Sequence, residues 1–126
     1  MIALDTHALL WWTLDPKQLS RRAQRTIDES DRLGVPTIVF WEVALLARRK
    51  RIALPMSVRE WTRSVLSHSR VESLPLTAEI AVEAEELAMH ADPADRFIVA
   101  TARRHGCSLV TKDVLIHKAG LAAVVW

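Results

Sequence analysis

The chain has 126 residues, with 17 basic and 15 acidic side chains; half its residues are hydrophobic and a quarter charged. That composition excludes a disordered protein and allows a single domain, residues 1–126, with a substantial core. The lone cysteine, Cys107, excludes an internal disulfide and a multi-cysteine zinc site, no apolar run approaches a membrane span, and no basic region precedes the apolar start, so the sequence reads as soluble and cytoplasmic.

Met1–Leu4 is all apolar, as a central parallel strand should be. Thr6 or His7 through Trp12 predicts a short helix, broken at Asp15-Pro16. Ser20 predicts a cap for a helix to about Asp31 with Arg21, Arg22 and Arg25 on its exposed face. Leu33–Pro36 predicts a brief strand. Thr37 is expected to cap a helix to about Arg51 that is apolar nearly all round and therefore largely buried.

Ser57–Ser67 is amphipathic, Val71–Leu74 predicts a strand, and Thr77–His90 predicts a helix with Glu79, Glu83 and Glu86 outward. The last predicted helix starts at Asp92-Pro93 and runs to His105, with Gly106 as its stop. Ser108–Thr111 and Ala123–Val125 are the closing strands. Short apolar strands alternating with helices imply an α/β fold: a three-layer α/β/α sandwich with a central, mostly parallel sheet.

Four carboxylates stand in or beside apolar segments, where an unpaired acid is costly to desolvate. Asp5 ends the first strand, Glu42 interrupts an apolar helix, Asp95 precedes Phe97-Ile98-Val99-Ala100, and Asp113 follows Leu109-Val110-Thr111-Lys112. In a parallel sheet the ligand crevice lies beyond the carboxyl ends of the strands, where Asp5 and Asp113 fall. Without these four acids the remaining charge is +6, an acidic focus on a basic background that suits work on a polyanion. Gathered carboxylates repel one another unless a hard cation such as Mg²⁺ joins them.

Four ordered motifs carry a resemblance. They are Leu4-Asp5-Thr6-His7-Ala8-Leu9-Leu10-Trp11-Trp12, Phe40-Trp41-Glu42-Val43-Ala44, Asp92-Pro93-Ala94-Asp95-Arg96-Phe97-Ile98-Val99-Ala100-Thr101-Ala102, and Leu109-Val110-Thr111-Lys112-Asp113. Together they resemble the PIN-domain family and, more narrowly, the VapC-type toxins of bacterial toxin–antitoxin pairs. The resemblance implies a Mg²⁺-dependent endoribonuclease, with Mn²⁺ as a substitute, that cuts RNA to arrest translation. It implies a cognate VapB-type antitoxin and a homodimer. It makes Asp5, Glu42, Asp95 and Asp113 the acidic quartet, with Asp5 and Asp95 on the principal ion. Thr6 and Thr111 match supporting hydroxyl positions.

Other residues carry simpler readings beside the functional ones. Asp92 before Pro93 reads as a helix cap; Asp113 could shape a turn; His7 needs no role beyond a helix start. Arg48, Arg49, Lys50 and Arg51 could bind RNA phosphate or complement a helix dipole, and Arg96 could contact phosphate or pair with an acid. Trp11, Trp12, Trp41 and Trp61 fit a core or a partner-binding groove better than RNA stacking. An aspartyl-phosphate phosphatase would want an acid two residues after Asp5, where His7 stands. The remaining alternative is a catalytically inactive PIN-fold binding module, which the intact quartet argues against.

Overall fold

The computed structural model describes residues 1–126. Five strands form one sheet: β1 (Ile2–Leu4), β2 (Leu33–Pro36), β3 (Val71–Leu74), β4 (Leu109–Val110) and β5 (Val124–Val125). Their order is β3-β2-β1-β4-β5. Every neighbouring pair is parallel, so the sheet is wholly rather than mostly parallel. Seven helices complete a three-layer α/β/α sandwich: α1 (Thr6–Leu14), α2 (Arg21–Asp28), α3 (Thr37–Arg48), α4 (Val58–Ser67), α5 (Ala78–Glu86), α6 (Pro93–Arg104) and α7 (Val114–Ala119). No helix is long and apolar enough to cross a membrane.

The chain leaves β1 for β2 on one side, and β4 adds on the other. The carboxyl ends of β1 and β4 therefore flank a topological switch point, the place where such sheets open a crevice. Leu4 lies opposite Val110, and the Asp5 amide donates to the Val110 carbonyl at 3.2 Å. Asp5 and Thr111 thus emerge side by side. Ala3 and Leu4 of β1 and Leu109 and Val110 of β4 are fully buried, which anchors both ends.

Trp61 of α4 is buried against Phe40, and its indole N–H donates to the Thr13 hydroxyl at 3.2 Å, tying α4 to α1 and α3. Gly34 in β2 is a close-approach position: a Cβ there would meet Leu74 Cδ1 at 2.7 Å and Met1 Sδ at 3.2 Å. Gly34→Ala should cost about 1–2 kcal/mol by overpacking, read as a lower urea midpoint with an unchanged m-value.

Several expected elements are shorter. Helix α2 stops at Asp28 because Arg70 Nη1 donates to the carbonyls of Ile27 and Ser30, closing that end. Helix α3 stops at Arg48, Thr37 is its first residue rather than its cap, and only Val39 and Val43 are buried. Its expected near-complete burial is not found, because Trp41 is 54% exposed and Ala44 is exposed beside it. One side of α3 meets the core and the other stays open. Helix α5 ends at Glu86 instead of His90. Helix α7 was not expected; Val114–Ala119 follows Asp113 directly, so α6 is not the last helix.

Candidate active site

The four acids meet in one cleft of roughly 490 Å³ beyond the ends of β1 and β4. Asp5 comes from the end of β1, Glu42 from the second turn of α3, Asp95 from the first turn of α6 and Asp113 from the segment after β4. Asp92 lines the same cleft, as do Thr6, His7, Trp11 and Lys112.

Helix geometry places most of these acids. Asp5 Oδ1 accepts from the Ala8 amide at 2.7 Å and caps α1. Asp92 Oδ1 accepts from the Asp95 amide at 3.3 Å and caps α6, with Pro93 at the first helical position. Asp113 Oδ1 accepts from the Ile116 amide at 2.9 Å and caps α7. Three helix N-termini therefore point their partial positive charge at the cleft, which offsets part of the repulsion among the acids. Asp92 is the expected cap and also lines the cleft. Asp113 likewise shapes its turn while facing the site.

The electrostatics remain unfavourable for five anions. Burial pushes Asp5 up to about 6, against the lowering effects of Thr111, the Ala8 amide and His7, while Asp95 adds repulsion. Burial also pushes Glu42 up to about 7, and Asp95, Asp92 and Asp5 raise it further. Asp95 is raised chiefly by burial and lowered by its contact with His90. The Thr6 hydroxyl opposes the rise at Glu42. That hydroxyl is buried and has no hydrogen-bond partner within 3.5 Å other than what reaches it from the cleft side, where Glu42 stands.

Two groups of donor atoms each lie within 4.8 Å of one another: Glu42, Asp92 and Asp95, and separately His90, Asp95 and Asp113. Asp95 belongs to both. Asp5 belongs to neither, although it lines the cleft and uses only Oδ1 in its cap. Oxygen-rich sets of this kind fit a hard divalent ion. Thr111 is fully buried and its Oγ1 accepts from the Asp113 amide at 3.0 Å, fixing the turn that delivers Asp113.

A PIN-domain profile matches residues 2–120. The chain belongs to the PIN-domain family. This PIN domain is 37% identical to Ribonuclease VapC22 of Mycobacterium tuberculosis, in an alignment of 129 residues covering 99% of the chain and 98% of the relative, which makes it a VapC-type member. Its fold is similar to that of FitAcB from Neisseria gonorrhoeae, with TM-score 0.62 and 25% identity over 98% of this chain and 96% of that one. It is also similar in fold to a toxin–antitoxin complex from Klebsiella pneumoniae, with TM-score 0.71 and 22% identity over 100% of this chain and 97% of that one.

The basic residues singled out in the sequence are placed differently in this PIN domain. Arg96 is not free for phosphate. Its Nε donates to the His90 carbonyl, Nη1 to those of Ala84, Glu85 and Leu87, and Nη2 to that of Met89. One guanidinium thus closes α5 and holds the following segment, which explains why α5 ends early. Nor does it pair with an acid. Arg48, Arg49, Lys50 and Arg51 are exposed and none lines the cleft. A rise of ~1.5 Å per residue puts Arg48 about 9 Å along α3 from Glu42.

Two residues escaped the sequence reading, one touching a cleft acid from beside the cleft and one on its wall. His90 Nε2 lies 2.6 Å from Asp95 Oδ2. Its position five residues before Asp95, just ahead of the Asp92-Pro93 helix start, is the one local hint that it could fold back over the first turn of α6. Lys112 lines the cleft and sets its Nζ 5.7 Å from the Trp11 ring centroid. Adjacency to Asp113 was its signal. Trp11 also packs on His7 and on Trp126, with centroids 5.4 and 5.5 Å apart. Trp61 is core, whereas Trp41 is open to solvent.

Proposed function

We propose that this chain, acting as one domain over residues 1–126, is a Mg²⁺-dependent endoribonuclease and the toxin of a toxin–antitoxin pair, working in the cytoplasm. The carrying observation is the meeting of Asp5, Glu42, Asp92, Asp95 and Asp113 in one cleft at the switch point of the sheet. An RNA phosphate could not approach five carboxylates unless a cation intervened. The relatedness to Ribonuclease VapC22 supports RNA as the substrate.

In this reading Asp95 is the common ligand, with Glu42 and Asp92 on one side, Asp113 on the other, and Asp5 presenting its uncapped oxygen to the principal ion. When bound, a divalent ion supplies charge neutralisation, polarises a phosphoryl oxygen and eases deprotonation of water. Asp5, Asp92 and Asp113, pinned by their capping bonds, give the donor set a fixed shape before substrate arrives. The Thr6 hydroxyl orients the Glu42 carboxyl, and Thr111 keeps Asp113 in place. Lys112 is the cation on the cleft wall that meets a neighbouring phosphate, ahead of the more distant Arg48–Arg51 cluster.

A VapB-type antitoxin and a second copy of the chain are the proposed protein partners. The open side of α3, with Trp41 more than half exposed, supports an apolar protein contact there. Purified protein incubated with total RNA and Mg²⁺ or Mn²⁺ should generate discrete new 5′ ends, and excess EDTA should stop it. Cleavage that persists under chelation would overturn the reading.

A further inference from the structure

We propose that His90 is a metal ligand of this cleft, and that it makes one of the two donor groups a nitrogen-bearing position favouring Mn²⁺ over Mg²⁺. The inference rests on the metal-dependent reading above and deepens it. The two groups differ in kind. Glu42, Asp92 and Asp95 offer oxygen alone, whereas His90, Asp95 and Asp113 offer two carboxylates and an imidazole. Mg²⁺ takes oxygen ligands and suits the first group. Both Mg²⁺ and Mn²⁺ accept carboxylates, but Mn²⁺ opens the first-row series whose members also take imidazole, so a mixed set discriminates against Mg²⁺.

The geometry is already near what ligation needs. Donor atoms within 4.8 Å of one another require only small side-chain shifts to reach a shared ion at about 2.0–2.2 Å. The His90 and Asp95 side chains are 20% and 18% exposed, so neither is a loose surface group. Behind the imidazole, Arg96 holds the backbone, its Nε donating to the His90 carbonyl at 3.0 Å and its Nη2 to that of Met89 at 2.7 Å. Arg96 is thereby a positioning residue for His90. The buried Thr6 hydroxyl, 2% exposed, lines the same cleft and serves Glu42 of the oxygen-only group. A histidine serving only to hydrogen-bond Asp95 would explain the 2.6 Å contact. It would not put nitrogen on the ion.

The probe is Mn²⁺ bound to the full chain, followed by electron spin-echo modulation and by competition with Mg²⁺. Wild-type protein should show imidazole-nitrogen modulation on bound Mn²⁺, shifting to the nitrogen-15 pattern when histidine is isotopically labelled. His7→Gln, removing the histidine that lines the cleft, should retain it. His90→Gln should abolish it and lower the Mn²⁺/Mg²⁺ affinity ratio by at least about tenfold. Bound Mn²⁺ without imidazole modulation in the wild type, or with modulation kept in His90→Gln, would overturn the inference while leaving the metal site standing. A wild-type protein that binds no Mn²⁺ or Mg²⁺ would overturn both. Should His90→Gln not fold, His7→Gln and His117→Gln decide the matter: modulation kept in both leaves His90 as its source, and modulation lost in either overturns the inference.

Discussion

Asp5→Asn is expected to abolish RNA cleavage, by more than about a hundredfold, while making the metal-free protein more stable at pH 8. Asparagine keeps an oxygen that can accept from the Ala8 amide, so the cap on α1 survives and only the charge is lost. In the fold Asp5 holds its proton to about 6, against 3.8 for the unperturbed group. Glu42 holds its own to about 7, against 4.5. The native chain thus binds more protons than the unfolded one across that window, and metal-free stability falls as pH rises from about 4 to 7. Asp5 alone accounts for about 3 kcal/mol of that fall. The variant should flatten the slope and raise the pH 8 melting temperature by up to about 10 °C. Mg²⁺ should stabilise the wild type far more than the variant. An Asp5→Asn protein that melts lower than wild type at pH 8 without metal would show that Asp5 is structural.

Arg96→Lys is expected to cost about 3 kcal/mol in urea denaturation, despite conserving the charge. Lysine cannot reproduce a planar fork that serves the carbonyls of Ala84, Glu85, Leu87, Met89 and His90. Hydrogen bonds from a charged donor contribute roughly 1.5–3 kcal/mol each, and a single ammonium recovers only part of the set. Because the freed segment carries His90 and leads into the Asp92 cap, RNA cleavage should fall as well. A loss below about 0.5 kcal/mol would mean that these carbonyls are as well served by water.

Local patterns were enough to place the strands and to bring the acids to one end of the sheet. Strand residues Leu33–Pro36 and Val71–Leu74 fall at the expected positions, because each is a short segment with apolar residues that lies between a helix and a turn. The amphipathic stretch Ser57–Ser67 likewise becomes α4, which a Ser57–Glu60 capping box starts. What local pattern could not supply was long-range bonding. Nothing between Glu86 and Asp92 is a helix breaker; α5 ends there because Arg96, from the next helix, claims its carbonyls. Helix α7 is too short for a periodic signature, and its Asp113 cap resembles an ordinary turn residue. The apolar run in α3 showed hydrophobicity without showing that Trp41 faces solvent. His90 carried no motif of its own, and only the fold sets it on Asp95.

Asp95 is common to both donor groups, and this has a consequence for how the cleft fills. A carboxylate drawn toward one cation presents altered charge and altered orientation to the next. On the proposed reading, two cations in this cleft would load as a coupled pair, and whatever one did to the binding of the other would be returned in equal measure. Titration curves for such a centre describe a joint equilibrium, not the sum of two separate ones.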